Sequence, residues 1–101
     1  MGAETTATGG PAGALRADDP VARAEALARN ASTAEAVAEA LTDEYPVVRR
    51  EAVRALGRLG NPDAARTLLR TAANDPAAEV REEAVAVLGW MIRASRPTRP
   101  A

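Results

Sequence analysis

Seven residue pairs in this chain are separated by one interval. Val48, Arg49, Glu51, Ala52, Val53, Leu56 and Gly57 recur as Val80, Arg81, Glu83, Ala84, Val85, Leu88 and Gly89, each 32 positions later. A fixed interval of this length marks a helical array, in which one unit cannot bury its apolar face alone and neighbours stack to build a continuous core. Residues 20–27 (PVARAEAL) echo residues 46–53 (PVVRREAV) at an interval of 26, so the first unit is shortened. The predicted fold class is all-α: a short α-solenoid of antiparallel helix pairs, with five helices in about two and a half repeats.

Local signals place the boundaries. Asp18, Asp19 and Pro20 open the first helix, because acids suit the positive end of a helix and proline suits its first turn. Asn30 stops it. Ser32 and Glu35 have capping-box spacing and open a second helix to about Leu41, with Ala36, Val37, Ala40 and Leu41 as its apolar stripe. Asp43, Glu44 and Pro46 end that helix and begin a third. There Val48, Ala52, Ala55, Leu56 and Leu59 recur at helical spacing, with Arg50, Arg54 and Arg58 on the other side. Gly60 suits the left-handed position after a helix, and Asn61-Pro62 restarts the chain at once. A fourth helix over about 62–73 is expected to bury Ala64, Leu68, Leu69 and Ala72. After Asn74-Asp75-Pro76 a fifth runs from about 77 to 95, carrying Val80, Ala84, Val87, Leu88 and Met91 inward, and Pro97 ends it. No stretch alternates with period two, so no strand is expected. Residues 1–14 are small, Gly/Thr-rich and aperiodic, which predicts a disordered tail; 15–95 form the repeat domain and 96–101 a flexible tail.

Composition narrows the chemistry. Net charge is −1, from 13 basic and 14 acidic residues, so no global field gathers nucleic acid or an anionic membrane. All 13 basic residues are Arg. Without His, Cys or Lys the chain lacks the usual general bases, thiol nucleophiles and Schiff-base formers, so no catalysis, cofactor or metal is expected. No apolar run approaches the roughly 20 residues that span a bilayer. Absence of Cys fits the cytoplasm, and the Arg-only, Ala-rich usage looks like that of a high-GC bacterial genome.

The run DEYPVVRREAVRALGRLGNPDAARTLL, followed by NDPAAEVREEAVAVLG, resembles the HEAT-like repeats of the phycobilisome-lyase type. Units of that family read Asp, a short spacer, Val-Arg, a small-residue helix ending Leu-Gly, then Gly-Asn/Asp-Pro opening the second helix. The likeness covers residues 43–89 well and 18–41 loosely. It implies that Asp43, Asp75, Arg49 and Arg81 form a ladder of charge-assisted hydrogen bonds between successive turns, in place of the acid–base pair their chemistry could also suggest. It implies too that second helices line a concave face. Members of the class include bilin-lyase subunits, scaffolds and accessory proteins, and the related alkylpurine glycosylases grip DNA with such repeats.

Two surfaces are candidates for contact. Arg66 and Arg70 sit one turn apart on the fourth helix, and the matching positions one repeat earlier are Ala34 and Ala38 with Glu35 and Glu39 beside them. The inner face would then run from acidic to basic, as the segment charges suggest: −5 over 1–47, +4 over 48–74 and zero thereafter. The competing reading is an ordinary solvated face. The second surface is the C-terminal end, where Trp90, Met91 and Ile92 follow a helix with no partner after it, although solenoids ordinarily end on a polar cap. Folding back of Trp90 or cover by the last residues is the alternative. Tyr45 is expected to pack. The function these readings imply is a non-catalytic protein–protein interaction or scaffold module that docks a protein partner, with a homo-oligomer through the open end as one form. The alternatives are an accessory subunit of an enzyme complex and, against the charge balance, nucleic-acid binding through the Arg-rich centre.

Overall fold

The structure is a computed structural model that describes residues 18–30 and 33–95. The predicted tails at 1–14 and 96–101 lie outside the described residues. Five helices are present among those described, with no strand: α1 (Pro20–Asn30), α2 (Ala34–Ala40), α3 (Pro46–Leu59), α4 (Pro62–Asn74) and α5 (Ala78–Ser95).

Each boundary has a local cause. Prolines at the first turns of α3 and α4 cost nothing, since their missing N–H groups would have no partner within the helix. Asn61 caps α4 by accepting the Ala64 N–H at 2.7 Å. Gly60 ends α3 with φ 66°, a left-handed conformation that glycine adopts without a Cβ penalty. The cap of α2 differs from expectation. Thr33 fills it, with extended backbone and its hydroxyl accepting the Ala36 N–H at 3.1 Å. Ser32 lies outside the described residues.

The first helices of the units, α1, α3 and α5, stack side by side; α2 packs on α3, and α4 packs on both α3 and α5. The central α3 is therefore covered on several sides. Val48, Ala52, Val53, Ala55 and Leu56 are all buried there, and the buried cluster extends through Leu27, Val37, Ala64, Leu68, Val80 and Ala84. Val53, which the helical pattern left out of the core, is 0% exposed because α3 has neighbours on both flanks.

Leu69 is a correction in the other direction: it is 60% exposed. Ala64, Leu68 and the half-buried Thr71 and Ala72 recur at intervals of about one turn and define the inner face of α4. Leu69 falls a step around the helix from that face. Both aromatic residues are likewise outside the core. Tyr45 and Trp90 are 41% and 55% exposed, and the Arg23 guanidinium lies 5.7 Å from the centroid of the Tyr45 ring.

The α3–α5 contact depends on Gly57. A Cβ built there would lie 2.6 Å from Val87 Cγ1, well inside van der Waals contact, and Val is stiff at χ1 in a helix. Gly57→Ala should therefore destabilise, because overpacking of about 1–3 kcal/mol exceeds the roughly 1 kcal/mol gained in helix propensity. In a Val87→Ala background the same change should become stabilising, since only the propensity gain remains. Thermal melts of the four proteins check this; a Gly57→Ala single variant that melts above wild type would show that the helices separate there without cost.

Candidate protein-binding surfaces

The ladder implied by the resemblance is present between successive turns. Asp43 turns the chain into α3 by accepting the Tyr45 N–H at 2.9 Å, and Asp75 does the same for α5 through the Ala77 N–H at 2.9 Å. Each carboxylate is also held in a fork by an arginine of the preceding first helix. Arg23 reaches Asp43 through Nε and Nη2 at 2.9 and 3.0 Å. Arg49 reaches Asp75 at 2.9 and 3.1 Å. The remaining Nη1 groups donate to main-chain carbonyls: Arg23 to Asp18, Arg49 to Asp43 at 2.8 Å and Arg81 to Asp75 at 2.7 Å. Arg49 thus joins two successive turns, with side-chain exposures of 10% for itself and 7% for Asp75. A second network crosses from α3 to α5, where Glu83 accepts from Arg50 at 3.2 Å and from Arg54 at 3.1 Å.

These partners set the ionisation of the carboxylates. Burial alone would push the Asp43 carboxyl up, but its bond from Arg23, the Tyr45 N–H and the charges of Arg23 and Arg49 outweigh that and hold it below the ordinary value. Asp75 is lowered in the same way, burial being overcome by Arg49, the Ala77 N–H and the charges of Arg49 and Arg81. Glu83 is lowered against its burial by Arg54 and Arg50. A lowered folded-state pKa means that the unfolded chain binds more protons in mildly acidic solution. Stability from these groups is therefore complete above the unfolded carboxylate pKa of about 4 and is lost as pH falls through the folded values. With no His in the chain, the melting temperature should stay level from about pH 8 down to about pH 5 and then fall steeply. A melting series across that range checks it; a fall that begins near neutrality would contradict the ladder as the source of acid sensitivity.

Among the described residues no hydrogen bond or ion pair joins Glu35 or Glu39 to Arg66 or Arg70, the four charges expected on a concave face. Between α2 and α4 lies a shallow groove of about 200 Å³, whose walls include Ala34, Ala38, Leu56, Asp63, Ala64 and Thr67. Glu39 faces a different cleft, beside Arg23, Leu27, Asp43 and Val48. Glu35 is exposed on α2. On α4, Arg66 is engaged by Asp63 of its own helix, and Arg70 donates to the Thr67 hydroxyl at 3.3 Å. Small and apolar side chains make up most of the groove, and Asp63 is the charged residue on its wall.

At the C-terminal end, Trp90 lies over a cleft shared with Arg54, Gly57, Arg58, Glu83 and Val87. Met91 is half-buried against the core, whereas Ile92 is 61% exposed. Val85 is the residue that periodicity alone did not single out. It is 59% exposed, while Val53, its counterpart 32 positions earlier, is 0% exposed. The interval of 32 was the available signal, because what one unit buries against its successor, the last described unit leaves uncovered.

Among the described residues no three acidic side chains gather as a metal cage, and no helix is long and apolar enough to cross a membrane. Stacked first helices, second helices on one flank and an Arg–Asp ladder through the turns define a short α-solenoid. The sequence profile of the HEAT repeats matches residues 12–89, and the chain belongs to that family. No curated protein and no solved structure matches it. HEAT repeats generally mediate protein–protein interaction or scaffolding.

Proposed function

We propose that this protein is a non-catalytic interaction or scaffold module that displays rigid helix faces to another protein. The observation that carries the reading is the ladder: Arg23 and Arg49 tie each unit to the next turn, and Arg81 braces the last of those turns, so the outer faces keep a fixed spacing and little entropy is lost when a partner docks. Exposed Leu69, Val85, Trp90 and Ile92 supply apolar contact area on those faces. Against catalysis stand the missing His, Cys and Lys and the engagement of Asp43, Asp75 and Glu83 in structural pairs. A cytoplasmic site of action fits the lack of Cys.

The test is affinity capture with wild type beside an Arg66→Glu, Arg70→Glu double variant and a Trp90→Glu variant. Loss of a retained protein from the double variant assigns binding to α4, and loss from Trp90→Glu assigns it to the end of α5. Retention by all three would remove both surfaces. The resemblance to repeats of the phycobilisome-lyase type favours one narrower role, the accessory subunit of an enzyme complex. That role requires an activity that appears only when the captured protein and this chain are mixed.

A further inference from the structure

The outer face of α5 carries Glu82, Ala86, Gly89 and Arg93 at intervals of four, three and four, which places them in one row along the helix. The opposite row, Val80, Ala84, Val87 and Met91, enters or packs against the core. The repeat interval shows how such an outer row is used elsewhere in this molecule. Its counterparts on α3 are Arg50, Arg54 and Gly57, and they receive α5: the two arginines bind Glu83, and the glycine makes room for Val87. The outer row of α5 is the same receiving face, and Val85, Trp90 and Ile92 flank it exposed.

Charge decides what fits there. The residue that meets this face in a repeat of the same kind is a glutamate, since Glu25, Glu51 and Glu83 occupy equivalent positions. On α3 that glutamate finds two arginines; on α5 it would find Glu82 and Ala86. Head-to-tail stacking through α1 of another copy would accordingly set Glu25 against Glu82. An antiparallel copy of α5 has the opposite outcome. With the twofold axis passing between Val87 and Leu88, Glu82 lies across from Arg93 of the second copy, Ala86 across from Gly89, and Val85 meets Ile92 on one flank. Trp90 covers Ala86 of the second copy on the other. Small residues at the centre let the helix axes approach to roughly 8 Å. Among the described residues, neither Glu82 nor Arg93 has an ion-pair partner within its own chain. In the single chain Arg93 lies back over the row, with Nη1 3.4 Å from where a Gly89 Cβ would stand.

We propose that the protein forms a twofold homodimer in which the outer rows of two α5 helices pack antiparallel, closed at each end by a Glu82–Arg93 pair. This rests on the reading of the chain as an interaction module and names the partner at one of its surfaces. The arrangement is isologous, so it closes on itself and leaves the α2–α4 side of each copy accessible to other proteins.

The experiment is sedimentation of the full chain over a wide concentration range, for wild type, Glu82→Arg, Arg93→Glu and the double variant. Wild type should dimerise. Each single swap creates two like-charge contacts per dimer and should weaken association by roughly tenfold or more, and the double swap should restore it. Both residues are on the surface, so circular dichroism melts should stay close to wild type and separate lost docking from lost folding. A wild-type chain that stays monomeric overturns the proposal. So does a dimer indifferent to both single swaps, or one that the double swap fails to restore. Capture of another protein through Arg66 and Arg70 is scored separately, so a monomer that still captures it overturns the dimer and leaves the module standing.

Discussion

Arg49→Ala is expected to lower the melting temperature by about 15 °C, more than any other change to a charged side chain here. Arg49 is the only residue that grips one inter-repeat turn through its carboxylate and the preceding one through its carbonyl, at Asp75 and Asp43, among the described residues. Truncation leaves the Asp75 carboxylate, 7% exposed, without its forked partner and with only the weaker field of Arg81, and removes a donor from the Asp43 carbonyl. Breaking a buried pair by removing one partner costs about 3–5 kcal/mol, and for a domain of this size each kcal/mol moves the midpoint by about 4–8 °C. Arg49→Lys should recover only part of the loss, because an ammonium keeps the charge but cannot make the fork. Arg66→Ala is the control: Arg66 also pairs with an aspartate, but both partners face solvent, and the change should fall within about 0.5 kcal/mol of wild type. If Arg49→Ala melted like wild type while partner capture failed, the arginine would belong to a binding site and the ladder account would be wrong.

Leu68→Ala should cost about 2–5 kcal/mol, while Leu69→Ala one position later should change stability by less than about 1 kcal/mol. Leu68 is 0% exposed and Leu69 is 60% exposed. The contrast is sharpened by the composition of the core. Ala24, Ala26, Ala52, Ala55, Ala64 and Ala84 are all buried, so the few larger side chains, Leu27, Leu68, Val37, Val48, Val53 and Val80, carry most of the apolar area. Removing one of them takes away a large share of a small domain's margin, and helices held close by alanines have little room to collapse into the cavity. Urea titrations of both variants give the comparison. Equal midpoints for the two would mean that α4 does not present Leu68 to α3 and α5 as described.

Much of this architecture can be read along the chain because its signals are local or periodic. Caps and breakers such as Gly60, Asn61-Pro62 and Asp75-Pro76 act within a few residues, and all five helices begin and end close to where those residues place them. The interval of 32 pairs Arg49 with Arg81 and Asp43 with Asp75, and the family resemblance implies that these four form a ladder; Arg23, which holds Asp43, is not among them. The register of the ladder does not follow in the same way. That Arg49 reaches forward to Asp75 while its Nη1 reaches back to Asp43 depends on how far one unit is displaced from the next.

Burial at the flanks and ends was decided outside the local pattern as well. Val53 and Val85 have the same sequence context, yet one is sealed by a neighbouring helix and the other is open, because only the first has a following unit against it. Leu68 and Leu69 are chemically identical neighbours separated by a step of about 100° around α4, and only the placement of α3 and α5 selects between them. Nor does the repeat interval settle how Glu35 and Glu39 stand relative to Arg66 and Arg70. Periodicity fixes positions along each helix, whereas the facing of α2 relative to α4 is set by how each seats on α3. The helices, their turns and the repeating unit are thus legible in the residues alone, since they depend on short-range sterics and on the period of the apolar residues. Which faces are covered depends on the packing of the whole molecule, because coverage is a property of neighbours in space and the last described helix has one neighbour fewer than α3.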